Sequence, residues 1–307
     1  MYDDDTRKRR RLTKAVLLAA VPLAAAAALA GPLTGMFSGG PADGGPGGGR
    51  GRGASPAPAA PGTPAATGPG PSTSARSGAA PLAGKVVVID PGHNPGNFQH
   101  TAEINETVDV GTHRKECDTT GTSTNAGYTE AAFTLDVSRR LRVVLQGKGA
   151  TVEFTHDADR PFGPCVDERA RIGNAAGGGE GADAVVSVHA DGSAAGNRGH
   201  HVILPALVKA GAADTAPIVG PSRTLGERIQ AAFARATGSA PANYLGGGTG
   251  LDVRDDLGGL NLSTVPKVFV ECGNMRDPDD AALLADATWR QKAAQGIADG
   301  ISTYLLG

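Results

Sequence analysis

Two histidines stand where apolar runs break into glycine-punctuated loops: His93 in KVVVIDPGHNPG, residues 85–96, and His189 in AVVSVHADG, residues 184–192. An imidazole at such a point can ligate a metal, act as a base or cap a turn. Two carboxylates join them. Glu130 opens a predicted helix, where the positive end of the helix dipole also favours an acid. Glu271 directly follows the apolar Val268-Phe269-Val270, and an acid there must be paired, ligated or facing a cleft. Taken together, His93, Glu130 and His189 make a His2Glu set suited to Zn2+, with one position left for water. Such an ion lowers the pKa of water and polarises a carbonyl, and Glu271, as a separate carboxylate, could pass a proton from the water to a leaving nitrogen.

These residues need strands and a helix to bring them together. Val86 to Ile89 read as a buried parallel strand that places Asp90 and His93 at its carboxyl end, where open α/β sheets bind ligands. Ala184 to Val188 is a second strand, ending at His189. Residues 126–146 carry apolar positions at helical spacing and stop at Gly147 and Gly149. Further strands are expected at 151–154 and 268–270, with an edge strand at 201–204 that ends at Pro205. Helices are expected at 166–176 and 222–237, and 281–306 forms a closing helical region. The alternation implies a single three-layer α/β/α domain with a mostly parallel twisted sheet.

Of the 307 residues, 46 are Gly and 21 Pro, concentrated near the N-terminus. Arg7 to Lys14 form a basic cluster before the apolar Ala15 to Ala30, which reads as a signal peptide or an N-terminal anchor across residues 1–30. Setting aside the charges before residue 31 leaves 23 basic and 28 acidic residues, a balance of −5. A domain of that sign has no general field for nucleic acid. Residues 31–81 hold almost no large apolar side chain and read as a disordered linker. The folded unit is therefore 82–307. Membrane contact is expected only through the N-terminal segment, and the folded unit is expected to be a monomer lying outside the cytoplasmic membrane.

The stretch 91–125 is long for a structureless loop, which points to function or a covalent staple. It contains Cys117, and Cys165 lies just before the helix at 166–176. In an exported chain these two are candidates for a disulfide, with Cys272 as a buried odd thiol; three unpaired buried thiols is the alternative.

The motifs VVIDPGHNPG, AGYTEAAFTLDVSRRL, DAVVSVHADGS and VPKVFVECGNMRDPDD, in this order, resemble the zinc-dependent N-acetylmuramoyl-L-alanine amidases of type 3, particularly secreted actinobacterial members. The resemblance spans residues 84–306 and implies that His93, Glu130 and His189 bind Zn2+ and that Glu271 is catalytic. Thr155, Arg169 and Asn174 fall in the familiar segment between them. It implies hydrolysis of the amide between the lactyl group of N-acetylmuramic acid and L-alanine, with peptidoglycan or a muropeptide as substrate. Two positions depart from the pattern: Asp191 stands where Asn is usual, and His156 where Arg is common. The residue chemistry alone reaches only metal-assisted hydrolysis, so an exported peptidase or deacetylase would use the same four residues. A non-catalytic wall-binding protein would have no need of them.

Overall fold

A computed structural model describes residues 80–307, so the N-terminal segment at 1–30 and almost all of the linker at 31–81 lie outside the described residues. The chain runs through β1 (Val86–Pro91), α1 (Thr101–Ile104), β2 (Thr107–Asp109), β3 (Arg114–Glu116), α2 (Glu130–Gly147), β4 (Thr151–Phe154) and α3 (Val166–Ala175). It continues through β5 (Ala184–Asp191), β6 (His201–Pro205), β7 (Lys209–Ala210), β8 (Ala213–Asp214) and α4 (Ala216–Thr237). The last elements are β9 (Leu251–Arg254), α5 (Gly258–Asn261), β10 (Lys267–Asn274), α6 (Pro278–Ala285) and α7 (Ala287–Leu306). No helix among the described residues is long and apolar enough to cross a membrane.

Six strands form one sheet in the order β4-β1-β5-β10-β6-β9. The first four are parallel; β6 runs antiparallel to β10 and parallel to β9. The mostly parallel sheet is as expected, but residues 201–204 do not form its edge. All five residues of β6 are buried and β9 covers its outer side. Pro205 is the last residue of β6, where a missing N–H removes at most a terminal ladder bond. The true edge, LDVR at 251–254, is short and partly charged, so it carries no apolar run to mark it.

Because side chains alternate across a strand, the sheet has two unlike faces. Val87 and Ile89, Val186 and Val188, and Val268 and Val270 pack on one side against Phe133 and Leu141 of α2, Ile229 and Phe233 of α4, and Ile297 of α7. The opposite face begins apolar, with Val88 and Val185 against Ala176 and Ala182 after α3. It then turns polar along the same strands: Asp90 follows Val88, Ser187 and His189 follow Val185, and Glu271 lies two residues beyond Phe269. The polar end of this face is the floor of the site.

Helix boundaries differ from the sequence reading for local reasons. Helix α2 starts at Glu130, not at residue 126, because Thr129 caps it by accepting from Ala132 N, and Thr129 is also bridged to Ser123. Helix α4 starts at Ala216 and absorbs Pro221, losing one i→i−4 bond where the sequence suggests a break. The closing region divides into α6 and α7 at Asp286, whose side chain accepts from Trp289 N at 2.6 Å.

The stretch 91–125 is structured, holding α1 and the β2–β3 ribbon, and it is fastened by a Cys117–Cys165 disulfide. Backbone bonds reinforce the staple, with Val166 N donating to Cys117 O at 2.8 Å. Cys272 is buried and unpaired, on the apolar face of β10. The staple closes a loop of sequence separation 48, for which chain entropy gives about 4 kcal/mol. Replacing both cysteines by Ser is therefore expected to lower the unfolding free energy by up to that amount in a denaturant titration. An unchanged midpoint would show that the linkage adds nothing to stability.

Candidate active site

His93 follows β1 by two residues and sits in the left-handed region at φ 60°. A non-glycine residue pays for that conformation, and the turn is clamped from several sides. Gly92 N donates to Val188 O at 2.9 Å, and Thr134 Oγ1 donates to Gly92 O at 2.7 Å. A Cβ on Gly92 would lie 2.4 Å from the His189 ring, so only glycine lets the two loops come this close. His189 lies two residues before the end of β5, one strand over, on the polar face.

Glu130, the first residue of α2, reaches between the two imidazoles. Its Oε2 lies 3.2 Å from His93 Nε2 and its Oε1 2.9 Å from His189 Nδ1. Thr122 N donates to Oε2 at 2.9 Å and Ala190 N to Oε1 at 3.3 Å. Favourable placement at a helix N-terminus is worth about 0.3–1 kcal/mol, whereas burying a carboxylate costs several kcal/mol per ion. The dipole alone therefore cannot account for Glu130, which is only 4% exposed. Burial disfavours its charged form, but His93 and His189 outweigh that and hold the carboxyl well below its ordinary range. Burial likewise disfavours the His93 imidazolium, but Glu130 and Asp118 push its pKa up to about 10. One ligand atom from each of His93, Glu130 and His189 lies within 4.8 Å of the others. Two imidazole nitrogens and a carboxylate oxygen converging from three elements could hold a divalent metal, and that donor set suits zinc.

Glu271 is directly opposite His189 in the β5–β10 register, so both side chains rise from the same face. Its Oε2 is buried with no hydrogen-bond partner among the described residues. Burial first, and then the negative charges of Glu130 and Asp191, push this carboxyl well above its ordinary range. A carboxyl in that environment holds a proton to higher pH than a free one does. An open cleft lined by Asp191, Arg254 and Glu271 reaches all three clustered residues.

A match to the family model described as N-acetylmuramoyl-L-alanine amidase extends over residues 87–303. The chain belongs to this family. An N-acetylmuramoyl-L-alanine amidase of Mycobacterium tuberculosis is 41% identical over 234 residues, 76% of this chain and 91% of that protein. The crystal structure of the amidase Ami1 from Mycobacterium smegmatis aligns with a TM-score of 0.66 at 39% identity, covering 73% of this chain and 98% of that one. Ami1 from Mycobacterium abscessus, in its apo form, gives 0.64 at 39% identity over 73% of this chain and all of that one, 100%.

Other residues flagged by the sequence support this cluster from behind. Asp90 does not join the cluster. It is buried beneath it, accepting from Thr155 Oγ1 at 2.7 Å, Ser187 Oγ at 2.6 Å, Arg169 Nη1 at 2.7 Å and Lys267 Nζ at 3.1 Å. Burial opposes its charge, but Lys267 and Arg169 keep the carboxyl well below its ordinary range. His156 bonds the Pro91 carbonyl through Nε2 at 3.0 Å, bracing the same strand end. Asn174 ties α3 to the segment before β10 through Leu262 O and Thr264 N, each at 2.9 Å. Asp191 accepts from Tyr244 Oη at 2.6 Å, an arrangement that engages its second carboxylate oxygen.

The residue that sequence reasoning missed is Asp118. Its Oδ1 lies 3.3 Å from His93 Nδ1, which also bonds Thr119 O at 3.1 Å, while its Oδ2 accepts from Arg169 Nη2 at 3.0 Å. It therefore links His93 to Arg169 and, through Arg169, to Asp90. A signal existed in its position next to Cys117, which fixes its backbone, but an aspartate in a Thr-rich loop has no distinctive spacing. Carboxylates that orient a ligand histidine typically contribute 10- to 100-fold to metal affinity. Asp118→Asn is expected to weaken divalent-metal binding within that range in a chelator competition, while Asp118→Glu recovers part of it. Affinity unchanged in the Asn variant would show that Asp118 serves only the fold.

Proposed function

We propose that the chain is a zinc-dependent hydrolase of peptidoglycan, cleaving the amide between the lactyl group of N-acetylmuramic acid and L-alanine of the stem peptide. The observation that carries this reading is Glu271 standing beside the His93–Glu130–His189 cluster, in a chain whose family is that of the amidases. His93, Glu130 and His189 would hold the ion, with Asp118 orienting His93. When bound, zinc supplies a Lewis acid that polarises a carbonyl and makes water a stronger acid.

Glu271 carries the proton. As a carboxylate it takes a proton from the attacking water as the new C–O bond forms at the lactyl carbonyl. The same carboxyl then delivers that proton to the alanine nitrogen as the C–N bond breaks, leaving a muramoyl carboxylate and a free amino terminus. Burial of Glu271 beside Asp191 favours the protonated carboxyl between these two steps. The cleft along Asp191 and Arg254 would position the peptide side of the substrate.

Peptidoglycan lies outside the cytoplasmic membrane, so the folded domain must act there. The basic cluster and apolar run at 1–30 suit an export signal or an anchor, and the domain is read as acting as a monomer.

The division of roles is testable. Glu271→Gln is expected to retain zinc and fold but lose about 10²- to 10⁴-fold in kcat, since the amide cannot shuttle the proton. His93, Glu130 or His189 changed to Ala should instead lower bound zinc after dialysis. Mass spectrometry of muropeptide products at matched zinc occupancy should show a free L-alanine amino terminus and an intact glycan; acetate release would make the protein a deacetylase. Near wild-type turnover in Glu271→Gln would move the proton shuttle to Asp191 or a neighbouring histidine.

A further inference from the structure

Three openings lie beside the His93–Glu130–His189 cluster: a small one of about 170 Å³ toward Lys115, Asp118 and Arg169, and two larger ones that differ in charge. The cleft on one side carries Asp191, Arg254 and Glu271. The groove on the other side, about 590 Å³, has no ionisable side chain in its lining, which includes Asn94, Pro95, Phe98, Thr122, Ser123 and Thr129. That volume is in the range of about 300–1,000 Å³ usual for ligand sites. The groove adjoins the cluster directly: Asn94 follows His93, Thr129 precedes Glu130, and a Cβ on the lining residue Gly121 would lie 2.7 Å from His93 Cδ2 and 2.8 Å from Glu130 Oε2.

Phe98 is 65% exposed in this groove, the one aromatic among the large apolar side chains left exposed in the described residues. Its turn, Asn97–Gln99, is held firmly. Asn97 is fully buried, donating through Nδ2 to Thr119 O at 2.8 Å and accepting from Gly163 N at 2.8 Å. The anchored turn holds the Phe98 backbone with its ring outside the core, so Phe98 adds little to packing, while leaving it in water forgoes the gain its burial would bring. With the backbone of its turn already ordered, Phe98 loses only side-chain freedom on binding a ligand face.

We propose that this groove is the glycan subsite, with Phe98 as a platform for a pyranose ring of the N-acetylmuramic acid–N-acetylglucosamine chain. The inference rests on the function proposed above and sets the direction in which substrate crosses the site. With its muramoyl carboxyl tied up in the scissile amide, the glycan is uncharged and offers hydroxyls, acetamido groups and C–H faces. The stem peptide carries free carboxylates and an amine. An uncharged groove lined by hydroxyls and one aromatic ring matches the glycan, and the cleft with Asp191 and Arg254 matches the peptide.

The test uses the full zinc-loaded chain and its Phe98→Ala and Phe98→Trp variants. NMR titrations measure binding of an N-acetylglucosamine–N-acetylmuramic acid disaccharide whose lactyl carboxyl is capped as the methylamide, so that it is uncharged, and, separately, of a sugar-free stem peptide. Phe98→Ala is expected to weaken the disaccharide on the order of tenfold, leave the peptide unchanged, and raise KM for muropeptide with kcat within about twofold. Phe98→Trp should restore the affinity. Equal disaccharide binding by wild type and Phe98→Ala, no saturable binding by wild type, or a loss confined to the peptide would overturn the subsite. So would a Phe98-dependent dimer in light scattering, which would make a second copy of the chain the occupant. Failure of the wild type to cleave any muropeptide would instead refute the proposed function, because the disaccharide titration reads the groove independently of turnover.

Discussion

A buried carboxylate that must be given positive charge governs this site. Glu130 is enclosed by His93, His189 and two backbone N–H groups, and hydrogen bonds to neutral donors alone do not repay the removal of a full charge from water. Imidazolium or a bound cation must supply the balance. That requirement explains why the first turn of α2 is brought to the ends of β1 and β5, and why the turn at Gly92 and His93 has a conformation that is otherwise unfavourable.

The rest of the polar face meets the same demand one layer down. Asp90 is ringed by Lys267 and Arg169, and Arg169 continues to Asp118 and so to His93. Removing one member of such a buried network leaves an uncompensated charge, a loss of about 3–5 kcal/mol. The network therefore joins four segments distant in sequence: the end of β1, the stapled loop, α3 and the start of β10. Its rigidity reaches the site through Asp118, and the Cys117–Cys165 linkage holds the loop that carries Asp118 against α3. Glu271 stands outside this network. Its unpartnered oxygen contrasts with the saturated carboxylates of Asp90 and Glu130, and that difference is what the proposed division between proton carrier and ligand acid rests on.

Much of this was legible in the sequence because it depends on local signals. Strand ends at Asp90 and His189 show as apolar runs broken by Pro, Gly or Asp, and period-two alternation puts His189 and Glu271 on one face once the strands are neighbours. The Cys117–Cys165 pairing followed from compartment and from the length of the insertion. What the sequence hid depends on pairing across distance. The place of β6 inside the sheet rests on β9, a short strand with no apolar run. The role of Asp118 rests on the fold of a loop, and the groove at Phe98 emerges only when the turn at 97–99 lies beside the start of α2. Asp90 illustrates the opposite hazard: a strand-terminal acid close to His93 looks functional, yet its four partners make it a foundation.

The central claim is that His93, Glu130 and His189 together ligate one metal ion. Zinc K-edge X-ray absorption on the stoichiometrically loaded protein tests it most directly, because imidazole and carboxylate ligands differ from thiolate in distance. The account predicts a shell of nitrogen and oxygen only, at about 2.0–2.2 Å, with the outer-shell scattering of two imidazoles, reduced to one imidazole in His189→Ala. A sulfur contribution at about 2.3 Å, or a spectrum unchanged by His189→Ala, would contradict it.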